Sequence, residues 1–184
     1  MAQESVKARF FIALLPPEPI QSIAARLIQD LSQRYHTRTA KAPPHITLQP
    51  PFGWAPTALP DLTDYLTSFA NNHPAIPIEL AGFGAFAPRV LYIHVAQTTQ
   101  LMHQQAALMH GLEEHFGICD PHAQQRSFTP HLTLASRHLT PQSFRQAWED
   151  LQSQSLKANF VVNQLTLLRY EQHWQVQSEF QLQP

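Results

Sequence analysis

The residues of this chain best suited to moving protons come in a phrase used twice, Pro44-His45-Ile46-Thr47-Leu48 and Pro130-His131-Leu132-Thr133-Leu134. On an extended strand residues i and i+2 share a face, so each phrase turns a His and a Thr one way and two aliphatic side chains the other. Two histidines near neutral pKa can divide a hydrolysis: one takes the proton of an attacking water, the other gives a proton to the departing oxygen. The Thr hydroxyl beside each can hold a non-bridging phosphate oxygen or orient a substrate. This set suits phosphodiester opening better than acyl transfer. No Ser or Cys sits in a nucleophile elbow, no Gly-rich phosphate loop is present, and no carboxylate pair accompanies the histidines. A strained 2',3'-cyclic phosphodiester would be a natural substrate for such a pair, because its leaving oxygen stays tethered and needs mainly a proton.

The chain holds eleven histidines and supplies its own control in a third match, His138-Leu139-Thr140. That match lacks the preceding Pro and the following Leu, and its Thr140 is predicted as a helix N-cap with Pro141 at the first helical position.

The elements around the two phrases read as follows. Arg9 to Leu15 is apolar on both faces and suits a central strand. Ile20, Ile23, Ala24, Leu27, Ile28 and Leu31 form the stripe of an amphipathic helix ending near Arg34. The first phrase is expected to end at Pro50-Pro51, since two prolines cannot continue a central ladder. A second helix follows around Leu62 to Ala70, then a strand at 76–81, a turn-like link at 83–88 and a strand at 89–95. A third helix covers 98–116, and the second phrase and a fourth helix from Pro141 come next. Residues 160–170 and 174–182 read as a terminal hairpin whose strict alternation from Trp174 to Leu182 predicts one buried face. The expected fold is α+β: two antiparallel-rich sheets with outer helices, forming one two-lobed domain over 1–184 with an approximate two-fold and a central cleft.

Several residues are candidates for lining that cleft. Arg38 and Lys41 lie in the basic approach to the first phrase, and Arg126 and Arg137 bracket the second. Clustered cations raise the local concentration of anions. Tyr92 and His94 share a strand face that lines the cleft if it is the face bearing the His-x-Thr pairs. Phe52 and Trp54 follow the first phrase closely enough to stack on a nucleobase.

The phrases and several flanking stretches resemble the two-histidine (2H) phosphoesterase superfamily, which includes the 2'-5' RNA ligase and RNA 2',3'-cyclic phosphodiesterase family. Arg9-Phe10-Phe11-Ile12-Ala13-Leu14, Phe86-Ala87-Pro88-Arg89-Val90-Leu91-Tyr92 and Phe128-Thr129-Pro130-His131 match family stretches in the expected order. The resemblance implies a bilobal fold, His45 and His131 as the catalytic pair, Thr47 and Thr133 as phosphate ligands, and neither metal nor cofactor. Two departures bear on the substrate. Gln49-Pro50-Pro51-Phe52 stands where many RNA-cyclic-phosphodiesterase members have Phe-Leu-Gly, and Ser136 precedes the Arg that often follows the second motif directly. RNA 3' ends with a cyclic phosphate, small cyclic nucleotides and other cyclic phosphates all fit. So do 2'-5' ligation as the reverse reaction and a binding module that holds a nucleotide without turnover.

Composition sets the remaining expectations. A formal net charge of −1 argues against gripping long duplex nucleic acid through a broad basic face. Cys119 is the only cysteine, so no intrachain disulfide forms, and a buried or inert thiol is expected. No apolar run approaches a signal peptide or a membrane span. A cytoplasmic monomer is the expectation.

Overall fold

The computed structural model describes residues 7–39, 41–121 and 127–184. Among these residues eight strands and four α-helices follow in the order β1 Ala8–Leu14, α1 Ile20–Tyr35, β2 Ile46–Trp54, α2 Leu59–Asn71, β3 Ile76–Phe86, β4 Val90–Val95, α3 Thr99–Phe116, β5 His131–Ala135, α4 Pro141–Gln152, β6 Lys157–Val162, β7 Gln164–Tyr170 and β8 Trp174–Gln181. The strands form one antiparallel sheet in the order β6-β3-β4-β5-β2-β1-β7-β8. Read outward from its centre, the order is β2-β1-β7-β8 one way and β5-β4-β3-β6 the other, so the halves are related by an approximate two-fold. Where two sheets were expected, the halves are joined by a single residue pair, Ile46 with Leu132.

The sheet curls until its outer strands approach each other. Asn163 alone separates β6 from β7, although these strands belong to opposite halves. The Leu182 N–H donates to the Asn163 carbonyl at 2.8 Å, the Ala75 N–H to the Gln183 carbonyl at 2.7 Å, and the Gln183 N–H to the His73 carbonyl at 2.9 Å. The expected strand over 160–170 is therefore two strands.

One face of the sheet carries the main core. Phe10, Ile12, Leu14, Ile46, Leu48, Leu132 and Leu134 bury there against the apolar stripes of the helices. Helix α1 lies on β5, α4 on β3 and α2 on β7 and β8, while α3 spans the seam and lies on both β2 and β3. Arg34 and Tyr35 on α1 both bond Asp150 on α4, tying these two helices together. Thr140 caps α4 as its sequence predicts, accepting from the Ser143 N–H at 3.1 Å. The thiol of Cys119 is exposed rather than buried. Among the described residues no helix is long and apolar enough to cross a membrane.

Three strands depart from simple reading. Strand β2 continues through Pro50-Pro51 to Trp54 because both prolines fall where its register with β1 shifts, between the pairs Ile12–Gln49 and Phe10–Phe52, so no ladder donor is required of them. Strand β3 runs to Phe86, shrinking the expected link to a turn at 87–89. In β8 a register shift between the partners of Leu167 and Leu168 leaves Gln177 as an extra residue. The shift turns Trp174 to the open face with Leu168, and Phe180 to the main core with Leu165 and Leu167.

Candidate active site

The seam between the half-sheets assembles the site. Because Ile46 pairs antiparallel with Leu132, the same register taken one residue either way sets His45 opposite Thr133 and Thr47 opposite His131. Ile46, Leu48, Leu132 and Leu134 are buried on the helix side, so the two His and two Thr side chains share the open face, each half-buried. Each half of the molecule thus contributes one His-Thr pair, as the repeated phrase predicts.

The two rings are held in the same way. His45 Nδ1 lies 2.7 Å from the Pro43 carbonyl, and His131 Nδ1 lies 2.7 Å from the Thr129 carbonyl. A carbonyl oxygen can only accept, so Nδ1–H is the donor in both rings, and Nε2 is left as the position that takes or gives a proton. The Pro before each His fixes its own φ and keeps the residue preceding it extended, which holds that carbonyl beside the ring. Burial pushes the His45 pKa below the usual histidine value, the nearby His131 pushes it further down, and the bond to Pro43 partly offsets both. The two imidazoles therefore sense each other's charge, and a doubly protonated pair is disfavoured.

Aromatic rings wall each imidazole. The Phe11 ring lies 4.8 Å from His45, and Phe86 and Tyr92 lie 5.1 and 5.2 Å from His131. Gly84, opposite Tyr92 in the β3–β4 ladder, gives that ring its room: a Cβ there would come within 2.3 Å of the Tyr92 ring. Beside His131 opens a cleft of 690 Å³ walled by Thr47, Pro50, Pro51, Phe86 and Phe128. Among the described residues no three His, Cys, Asp or Glu side chains gather as metal ligands would.

The structure sorts the other candidates. Tyr92 pairs with Thr133 and His94 with His131 across β4 and β5, so both stand on the face of the catalytic candidates. Phe52 does not line the cleft. Six residues on from Ile46, it faces the helix side and packs against Phe10 at 6.2 Å. Trp54 is likewise engaged elsewhere, edge-on to Phe116 at 5.5 Å with its indole N–H donating to the Ala58 carbonyl. Arg38 and Arg137 come together in an isolated antiparallel bridge with N–H to carbonyl distances of 2.9 Å both ways. Both are exposed, as is Lys41, whose carbonyl accepts from the Trp174 N–H. Arg126 lies outside the described residues. Phe11, Phe86 and Gly84 were not candidates from the sequence. The signal for Phe11 was present, since a strand apolar on both faces must also cover the face it shares with its half-wet neighbour.

A family model described as the 2'-5' RNA ligase superfamily matches residues 16–174. A curated protein of Geobacillus thermodenitrificans named "Putative phosphoesterase" is 28% identical over 162 residues, 87% of each chain. Among solved structures, TT0787 of Thermus thermophilus superposes with a TM-score of 0.64 at 22% identity, covering 95% of this chain and 97% of that one. E. coli LigT complexed with NADP+ gives 0.67 at 17% identity, covering 97% and 99%. LigT has also been solved with ATP, 3'-AMP and phosphate.

Proposed function

The chain belongs to the 2'-5' RNA ligase superfamily of two-histidine phosphoesterases, and from that membership we propose that it opens 2',3'-cyclic phosphates by metal-independent acid–base catalysis at His45 and His131. The observation that carries this reading is the matched pair of imidazoles, each with Nδ1–H bound to a carbonyl and a Thr on the strand opposite.

In the working form the pair holds one proton. The neutral ring accepts a proton at Nε2 from water as the water oxygen bonds to phosphorus. The protonated ring delivers its proton from Nε2 to the ribose oxygen as the ester P–O bond breaks, leaving a phosphomonoester. Thr47 and Thr133 donate hydroxyl hydrogens to the non-bridging oxygens, where charge builds in the transition state. The nucleotides and phosphate bound by LigT support a ligand of this chemistry.

The test is turnover of nucleoside 2',3'-cyclic phosphates and a short cyclic-ended RNA in EDTA. His45→Ala and His131→Ala should each lower kcat by about 10²–10⁴-fold. A wild type that opens none of these substrates, or variants that keep the rate, would count against the proposal.

A further inference from the structure

The β8 bulge creates a feature the hydrolytic step does not use. It turns Trp174 and Val176 onto the open face, beside Tyr170 and Arg9. Ring contacts then run without a break from the catalytic pair to the rim of the sheet: His45 to Phe11 at 4.8 Å, Phe11 to Trp174 at 4.6 Å and Trp174 to Tyr170 at 5.2 Å. The inner rings are buried, whereas Tyr170 is 43% and Val176 49% exposed. The Arg9 guanidinium lies 6.0 Å from the Tyr170 ring and 5.8 Å from the Trp174 ring. Exposed Lys41 is tied by its carbonyl to the Trp174 N–H.

We propose that this strip is a subsite for single-stranded RNA, taking the nucleotides upstream of the cyclic end, so that the substrate is an oligonucleotide terminus rather than a free cyclic mononucleotide. The inference rests on reading the cleft as a cyclic phosphodiesterase. Exposed aromatic surface interleaved with cations is what successive bases and phosphates require: a base stacks on a ring face whatever its identity, and guanidinium and ammonium groups offset the backbone charge. Two acids lie near the strip: Glu171 sits 3.8 Å from Arg169, a cation of its own, and exposed Glu179 stands farther along β8 opposite Thr166, beyond the bulge from Tyr170 and Arg9. The strip is also continuous with the site. Three ring-to-ring steps separate Tyr170 from His45, which brings it within reach of an upstream nucleotide while the terminal phosphate sits between the histidines.

Binding tests the strip without requiring turnover. Fluorescence anisotropy would compare a 5'-labelled RNA tetranucleotide 3'-phosphate with a labelled mononucleotide 3'-phosphate. The tetranucleotide should bind at least about tenfold more tightly, and Tyr170→Ala should cut that advantage at least about 5-fold, the lower bound for losing one stacked base. Arg9→Gln should flatten the salt dependence of tetranucleotide binding. In turnover, Tyr170→Ala should lower kcat/KM for a cyclic-ended tetranucleotide relative to the mononucleotide. Should Tyr170→Ala fail to fold, Val176→Glu sets a carboxylate on the same strip and should bring the same loss. Equal affinity for the two ligands, or a ratio unmoved by a folded strip variant, overturns the proposal. Tight tetranucleotide binding with no cyclic phosphate opened would leave the strip standing and remove the hydrolytic reading.

Discussion

A proton-transfer group is useful only if its tautomer is settled before substrate arrives, and at His45 and His131, the proposed pair, a backbone carbonyl two residues back settles it. The sequence carried this in the Pro of each phrase, and it was also enough to name the two threonines. Thr47→Val and Thr133→Val keep side-chain shape and strand preference while removing the hydroxyl, so kcat on a cyclic phosphate should fall about 10²-fold for each with Tm little changed. The charge state of His45 was not legible, because burial arises only once Phe11 and the β2 approach close over the ring. Its folded pKa lies below the unfolded value of about 6.5, so the unfolded chain binds the extra proton first as pH falls. The stability this group contributes is therefore fully present above about pH 6.5 and is lost as pH falls through the folded pKa. Urea midpoints at pH 7.5 and pH 5 should diverge less in His45→Gln than in the wild type. The acid limb of kcat/KM should fall below the ordinary histidine range.

Helices α1 to α4 were legible because a 3.6-residue stripe survives any small error in a boundary. Strands were less so, for a reason that is physical. A bulge changes which face every later residue occupies, yet the extra residue has no chemistry of its own: Gln177 looks like Gln175 and Gln181. The alternation from Trp174 to Leu182 therefore reads as one buried face, whereas the strand buries Trp174 on one side and Phe180 on the other. Deleting Gln177 should therefore keep every pair of the β7–β8 ladder and leave Trp174 and Phe180 on opposite faces of a now regular strand, so Tm and the near-ultraviolet signal of Trp174 should change little, whereas adding a second residue beside Gln177 should return both rings to one face and lower Tm sharply. The β3–β4 hairpin hid a functional position in the same way, since Phe83-Gly84-Ala85-Phe86 has the composition of a turn. Gly84→Ala should leave the hairpin paired but drive the Tyr92 ring from its place beside His131. The expected result is a loss of about tenfold or more in kcat/KM and about 1–3 kcal/mol in stability, the usual cost of overpacking.

The two-lobed plan and its approximate two-fold were legible in the repeated phrase; the single sheet was not, because one residue pair decides it. A ligand lying between the histidines contacts both halves and should close the seam they share. Saturating nucleoside monophosphate at about 100 times its Kd should add about 2.7 kcal/mol to stability. Hydrogen exchange should show added protection at Ile46 and Leu132 beyond that of the outer strands. The strand order has one more consequence, for a chain emerging from the ribosome. The half bearing His131 draws its strands from one continuous run, 76–162, whereas the half bearing His45 needs β1 and β2 from the beginning and β7 and β8 from the end. Phe11 must wait for Leu168, its partner across β1 and β7. The half bearing His131 is therefore complete at Val162 and the other only once β7 and β8 are made, so a chain released as far as Val162 holds half of the proposed catalytic pair and leaves the two strands around His45 without their closing neighbours.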